Sequence, residues 1–410
     1  SSISQRNISG NNVIFSGVLN DRYLNSNIST GGVLNVITDS SKKNNSYESF
    51  IDSKVDAKGD FNLKGNRVVI DGSLFDIADG LNIHSKTGVS ITAARQQQKI
   101  DEEKTSLSLD FYTKEVSKDQ YQTGFMIKHS KETEVSLKNE KNIATITAGN
   151  ISIHSESDNI ELYGTALTAT KNNIFLKSLN DIGFFAARNS AVTDKTKTVS
   201  SGGAYYTGGV NKAGNGVSFN HDDEKSHLTT DTGIVSRLNS AGNISIYAGG
   251  DITQQGSQHV AGGEYSAEGK NINQLASNNI SIGRTTQKHA SGGVGFNIDY
   301  SGIIRPFKKA LENNVNKNGV VLPNLKAPNV GVDIDGKGHK IKKSAENIVA
   351  FVTSIYAGGK IKLLGNNTII DEGTQYQSGQ SINIIAKDYF NKSAVNSGKG
   401  DEKKEHTQGA

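Results

Sequence analysis

Short runs of alternating apolar and polar residues recur along this chain, and Gly, Asn or Asp separates each run from the next. The phrase AGNISIYAGGDITQQGSQHVAGG at 241–263 shows the pattern, with Ile244 and Ile246 on either side of Ser245. Strict alternation bounded by turn residues predicts a short β-strand followed by a corner. Such strands are too short to be stable alone, but stacked at ~4.8 Å on the next coil they would form a parallel sheet.

A longer repeat contains these runs. A Gly-Ser or Gly-Thr step follows an apolar run at Gly72, Gly164, Gly256 and Gly373, with separations of 92, 92 and 117 residues. Self-similarity at a fixed period indicates a repeat architecture. We predict leading coils over 1–57, repeat units over 58–147, 148–240 and 241–356, a partial unit over 357–390 and a polar tail over 391–410.

The predicted fold is all-β: a right-handed parallel β-helix of roughly a dozen coils, about 60 Å long. Each coil needs corners, where glycine adopts a positive φ freely and asparagine tolerates it better than other residues do. Asparagines stacked along the rod can also form hydrogen-bonded ladders. The predicted structural corners are Gly72, Gly164, Gly256, Gly373, Asn150 and Asn243.

Longer alternating segments interrupt the first three units, at 105–138, 196–230 and 291–342. Each predicts an antiparallel β-hairpin that leaves the coil. Because the three leave at equivalent points, we expect them to stack as a lateral sheet; the alternative is three independent loops. The third segment also contains a predicted short helix, with apolar residues at helical spacing: Ile303, Phe307, Leu311 and Val315.

The hairpins present apolar residues at alternate positions, including Val330, Val332 and Ile334 in the third. Alternating strands with one apolar side can face lipid or a partner protein. The candidate interaction or membrane-facing residues are Leu109, Phe111, Phe125, Val217, Phe219, Val294, Phe296 and Ile298.

Composition favours the same fold class. The chain has 44 Gly but 3 Pro, and its many Gly, Asn and β-branched residues are poor helix formers. The net charge of +4, with interspersed signs, indicates no nucleic-acid partner, and the lack of cysteine excludes disulfides and thiolate metal sites. No basic and apolar leader begins the chain and no stretch approaches ~18 apolar residues, so we interpret it as an internal fragment. We expect this fragment to be monomeric.

Candidate chemistry is sparse, and we predict no catalytic, cofactor-binding or metal-binding residues. The densest set of metal-capable side chains is HDDEKSH at 221–227, for which a solvated turn is the simpler interpretation. The segment DIDGKG at 333–338 lacks the third acidic position and the closing Glu of a calcium loop. Arg95, Arg188 and Arg284 recur at one point of three units, which favours a structural role at the hairpin exits.

The phrases AGNISIYAGGDITQQGSQHVAGG and AGNISIHSESDNIELYGTALTAT resemble the haemagglutinin repeat of filamentous-haemagglutinin-type exoproteins. This family comprises two-partner-secretion passengers, including contact-dependent growth-inhibition proteins of CdiA type. The resemblance covers 58–390 and implies a Gram-negative secreted or cell-surface protein, exported by an outer-membrane transporter. It also implies contact with a target-cell surface or envelope, in adhesion or in delivery of a C-terminal toxin.

The residues leave two other functions open. A parallel β-helix can bind or degrade polysaccharide, although no carboxylate pair recurs in register with a cleft here. The chain could also be an inert spacer that holds a distal domain. We expect a structural and interaction protein without enzymatic activity, whose hairpins are able to contact outer-membrane lipid.

Overall fold

The computed structural model describes residues 5–31, 38–117, 119–301, 305 and 328–409. The strands of these residues form a sheet of 19 strands, which we call the rod, and a sheet of 9 strands, which we call the lateral sheet. The all-β prediction is confirmed.

The strands are numbered in chain order. They are β1 (Gln5–Ser16), β2 (Val18–Gly31), β3 (Thr38–Ile51), β4 (Lys54–Ala57), β5 (Asp60–Asp71), β6 (Leu74–Thr92), β7 (Ala94–Ser117), β8 (Gln120–Asn142), β9 (Thr145–Ser155), β10 (Ile160–Tyr163), β11 (Ala166–Ala169), β12 (Ile174–Ser178), β13 (Ile182–Phe185), β14 (Ala187–Gly209), β15 (Lys212–Ile234), β16 (Arg237–Ser240), β17 (Ile244–Ala248), β18 (Ile252–Gln255), β19 (Gln258–Ala261), β20 (Tyr265–Leu275), β21 (Ser277–Asp299), β22 (Asn329–Phe351), β23 (Ser354–Ala357), β24 (Ile361–Glu372), β25 (Gln375–Ser378), β26 (Ile382–Ile385), β27 (Asp388–Lys392) and β28 (Ser397–Gly409). The lateral sheet has the order β2-β3-β7-β8-β14-β15-β21-β22-β28, and the other strands form the rod.

The rod is a parallel β-solenoid, as predicted, because each of its strands pairs in parallel with the strand one coil away. Inward side chains therefore stack in columns. One column consists of Ile8, Leu63, Ile83, Ile153, Leu176, Ile246, Ala267, Leu363 and Ile384. These nine levels make a rod about 40 Å long. The expected dozen coils was too many, because the lateral sheet takes more of the chain than the sequence indicated.

The repeated Gly-Ser/Thr step marks a left-handed corner in every unit. Gly72, Gly164, Gly256 and Gly373 have φ values of 52°, 56°, 61° and 67°. Each corner lies beneath the point where a hairpin leaves the rod. A Cβ on Gly164 would come within 2.6 Å of the Cβ of Ala187 and 3.1 Å of the Ile234 carbonyl oxygen.

The asparagine corners work differently from the prediction. Among the described non-glycine residues only Asp119 has a positive φ, so Asn150 and Asn243 are not left-handed. Instead, the Oδ1 of Asn150 accepts a hydrogen bond from the backbone N–H of Asn173 at 3.2 Å, and that of Asn243 accepts one from Glu264 at 2.7 Å. Each side chain thus satisfies a backbone donor one coil away, where the strand ladder has ended.

The lateral sheet is antiparallel and consists of hairpins that pair edge to edge. The hairpins β7–β8, β14–β15 and β21–β22 are joined through β8–β14 and β15–β21. Their strands have 23 or 24 residues, which corresponds to about 75 Å. The predicted hairpin ranges 105–138, 196–230 and 291–342 were too short, since the pairing begins at the rod.

Two other predicted segments need correction. Residues 1–57 contribute β1 and β4 to the rod, but between them β2 and β3 form a further hairpin of the lateral sheet. The predicted polar tail 391–410 contains the end of β27 and all of β28, which pairs with β22. The predicted helix with Ile303, Phe307, Leu311 and Val315 lies outside the described residues.

Gly164→Ala is expected to lower the free energy of unfolding by about 2–3 kcal/mol. The Cβ would collide with the hairpin neck and force a side chain into a left-handed backbone. Urea denaturation measures the change. Gly336→Ala is the matched control, because a Cβ there meets nothing within 4 Å. Equal stability of the two variants would contradict a role for Gly164 at the neck.

Candidate interaction surface

The eight residues predicted to form an interaction surface lie on one side of the lateral sheet. Phe111 is opposite Phe125, and the same row continues across the neighbouring strands through Ala204, Val217 and Val294. Residues directly opposite each other in a sheet share a side, as do alternate residues along a strand. Leu109, Phe219, Phe296 and Ile298 are two or four positions from this row, so they lie on the same side. We call it the Phe111 side.

These side chains are exposed to solvent to an unusual degree. The exposed fraction runs from 39% for Val294 to 77% for Phe111, while Leu109 is half-buried. The apolar patch, as we define it, consists of the eight predicted residues together with Ile127, Tyr206, Val330, Val332 and Ile334. A contiguous group of exposed apolar side chains indicates an interaction site.

Tyr206 is a member of the patch that sequence reasoning missed. It lies between Thr123 and Asn215 of the neighbouring strands. Its sequence context, GAYYTGG, contains two adjacent tyrosines that point to opposite sides, so only the strand register identifies the one in the patch. A shallow depression of about 510 Å³ lies here, lined by Phe125, Val217 and other patch residues.

The opposite side of the sheet is more polar at the same level. It carries Ser108, Asp110, Lys128, Asn220 and Asp335, together with Tyr112, Met126 and Tyr205. The outer part of the sheet is therefore a single layer whose Phe111 side is the more apolar of the two. Nothing in the described residues packs on the apolar side.

The histidine and acidic residues of HDDEKSH do not converge. They alternate between the two sides of β15, and three of them bond to different neighbours: His221 to Ser200 at 2.9 Å, His227 to Asp194 at 2.7 Å and Asp222 to His289 at 2.6 Å. Across the described ranges, no group of three His, Asp or Glu side chains is placed to hold a metal ion.

Arg188 connects two hairpins at their necks. Its guanidinium donates to Asp231 at 2.9 Å within its own hairpin, and to the carbonyl oxygen of Asn278 at 2.7 Å in the next one. Arg95 donates to Asn139 at 3.1 Å, within one hairpin. These contacts give the two arginines a structural role at the hairpin exits.

Polar side chains replace apolar ones in the interior of the last coils. Gln254, Gln274 and Asp371 stack in register above Phe184, and His259 lies above Leu238 in another column. Burial lowers the pKa of His259 to about 3, because the charged imidazolium would lose its hydration.

This polar interior is only partly satisfied. The amide of Gln254 donates to the Tyr265 hydroxyl at 2.6 Å, and His259 bonds to Ser257 at 2.8 Å. Burial also raises the pKa of Tyr265. The Gln254 Oε1 and the His259 Nδ1 are buried without a hydrogen-bond partner among the described residues. The group is enclosed by the coil, so it affects stability and offers no open binding site.

A helix with the length and apolar character to cross a membrane is not found in the residues that the structure describes.

Comparison with known proteins identifies the repeat. The family described as hemagglutinin repeat matches residues 123–263 and 217–319. A relative from Serratia marcescens named Hemolysin is 31% identical over 388 residues, which cover 93% of this chain. A relative from Proteus mirabilis, also named Hemolysin, is 33% identical over 388 residues, or 89% of this chain.

The chain spans 24% of the length of each relative. No solved structure matches it. The repeated Gly-Ser/Thr corners and the parallel coils agree with the family match, which covers the second unit and most of the third. Residues 123–319 therefore carry hemagglutinin repeats, the repeat of secreted, cell-surface exoproteins.

Proposed function

We propose that this chain is a rod segment of a surface exoprotein, and that its lateral sheet contacts lipid of a target-cell envelope through the apolar patch. The observation that carries the proposal is the exposed, one-sided patch at the outer end of the sheet. A contiguous exposed apolar patch on an otherwise polar chain favours contact with a membrane or a partner protein. The name Hemolysin, carried by both relatives, supports a membrane as the target.

The family also supports a secretion partner. We infer that the whole protein is exported through an outer-membrane transporter of the two-partner-secretion type, and that its rod winds in the right-handed sense usual for parallel crossovers. The rod would extend the protein from the producing cell, in adhesion or in CdiA-type delivery of a C-terminal toxin. The segment itself would act by contact and not by catalysis.

Changing Phe111, Phe219 and Phe296 together to Asp should abolish binding to phosphatidylcholine vesicles in a flotation assay. Burying one Phe contributes roughly 1.5–3 kcal/mol, so the partition coefficient should fall by more than about 100-fold. Circular dichroism should show an unchanged fold, because all three side chains are exposed.

The control places the same three charges on the opposite side of the sheet, as Ser108→Asp, Thr207→Asp and Asn220→Asp. This variant should float with vesicles as the unmodified chain does. Equal flotation of the two triple variants would refute lipid contact through the patch.

A further inference from the structure

A band of lysines borders the apolar patch on its rodward side. Residues paired across neighbouring strands form rows that run across the sheet. On the Phe111 side, the next two rows toward the rod after the row of Leu107 and His129 pass through Thr105 and through Glu103. The basic belt, as we define it, consists of Lys42, Lys131, Lys225, Lys288, Lys340, Lys342 and Lys403. The described part of these rows also holds three carboxylates, Glu103, Asp223 and Glu405, so seven lysines against three acids leave a net +4.

The belt is confined to two rows and to one side. The next row toward the rod carries Asp101, Asp194, Asp401 and Arg284, a net of −2. The two rows at the same level on the opposite side carry six lysines and five glutamates among their described residues, a net of +1. They are Lys43, Lys104, Lys195, Lys197, Lys343, Lys404, Glu102, Glu132, Glu134, Glu224 and Glu402.

Local pairing leaves the belt positive. Lys131 lies 2.6 Å from Glu103, Lys403 lies 3.1 Å from Glu405, and Lys288 lies 4.0 Å from Asp223. Lys225 and Lys342 are exposed on β15 and β22 and face threonines across the sheet. Exposed ion pairs contribute little and are screened by salt, so the three pairs do not fix the lysines in place. The lysine heads are available to an anionic surface that approaches this side.

We propose that the apolar patch and the basic belt together dock the lateral sheet on a bilayer that carries anionic phosphate headgroups. This proposal rests on the lipid contact proposed above and names the headgroup class. The belt begins four residues rodward of the Leu109 row, about 14 Å along the strands. If the outer end of the lateral sheet inclines into the bilayer, the apolar patch lies below the lipid phosphates. The lysines of the basic belt then lie at the level of the phosphates.

Charge complementarity favours lipid over a second copy of this chain. Two copies that pack patch on patch with their rods at the same end would place one net-positive belt against the other. An anionic leaflet instead attracts every lysine within a Debye length of its surface. The side with the belt is also the side with the patch, so a single approach satisfies both.

The test compares two triple variants in flotation assays. Lys225→Gln, Lys288→Gln and Lys342→Gln should weaken binding to phosphatidylcholine–phosphatidylglycerol vesicles roughly 100-fold at low salt. The same variant should bind pure phosphatidylcholine vesicles as the unmodified chain does. The control, Lys128→Gln, Lys197→Gln and Lys337→Gln, removes three charges from the opposite side and should have little effect.

Each contrary outcome is distinct. Equal losses in the two variants would show a general charge effect and overturn the belt. Binding to both vesicle types without any headgroup preference would overturn the belt and leave the lipid contact standing. Competition by free inorganic phosphate, or a patch-dependent dimer with no vesicle binding, would overturn docking on a membrane.

Discussion

Phe184→Ala is expected to lower the free energy of unfolding of the rod by about 3–5 kcal/mol, the usual cost of truncating a buried phenylalanine. The ring is fully buried in the middle of the rod. It stacks in register between Leu162 and Gln254 and meets the His259 ring edge-on at 5.0 Å. Each coil rests on its neighbours, so the cavity weakens the contacts on both sides of it.

Phe175→Ala is the matched control. Phe175 belongs to the preceding strand of the same coil, points outward and is half-buried, with Tyr247 at 5.7 Å. Its truncation should cost about 1 kcal/mol or less. Urea denaturation followed by far-ultraviolet circular dichroism measures both. Equal losses would mean that the inward and outward positions are wrongly assigned.

Stability should also fall as the pH drops from 7 to 5, by about 2 kcal/mol through His259 alone. Its pKa of about 3 in the folded protein is below the ordinary 6.5, so the unfolded chain binds the proton first as the pH falls. Protonation then stabilises the unfolded state relative to the folded one. Above pH 6.5 the imidazole is neutral in both states and this effect vanishes.

His259→Leu should remove this part of the pH dependence, because leucine cannot titrate and suits a column formed by Leu238 and Ile355. His129→Gln, at an exposed position of the lateral sheet, should retain it. Denaturation at several pH values between 7 and 4 gives the comparison. A pH slope that His259→Leu leaves unchanged would show that this histidine is not the group responsible.

The rod was predictable because its signal is local. Alternation such as Ile151-Ser152-Ile153, closed by Gly and Asn, specifies a strand, a buried side and a corner within a few residues. The glycine of each unit was found by spacing alone. Each of the four has a positive φ, and a Cβ on it would come within 3 Å of another atom. The asparagines were found as well, but the expectation of a positive φ was wrong for them.

The lateral sheet was harder to predict. Its inner parts have solvent on both sides, so Ser, Thr, Lys and Glu occupy both and no alternation marks a strand. The predicted hairpins were therefore confined to segments around the alternating apolar residues, and their ends fell short of the rod. The segment 18–51 and the strand β28 lack the signal for the same reason.

The remaining features depend on long-range register. The column that passes from Phe184 to Gln254, Gln274 and Asp371 breaks the expectation of an apolar interior, and sequence gives no sign of it because each glutamine occurs in an ordinary alternating run. The basic belt was also not predictable from the sequence. Its lysines come from six strands, and only the pairing of those strands brings them into two neighbouring rows.

The order of strands in the lateral sheet is the order of strands in the chain. The coils of the rod also follow one another in sequence, so each new segment finds its template already in place on both sheets. Folding can thus proceed by successive addition from the N-terminus, with no early strand waiting for a late one. A chain that emerges gradually through a narrow channel would acquire its final shape at the rate of its emergence.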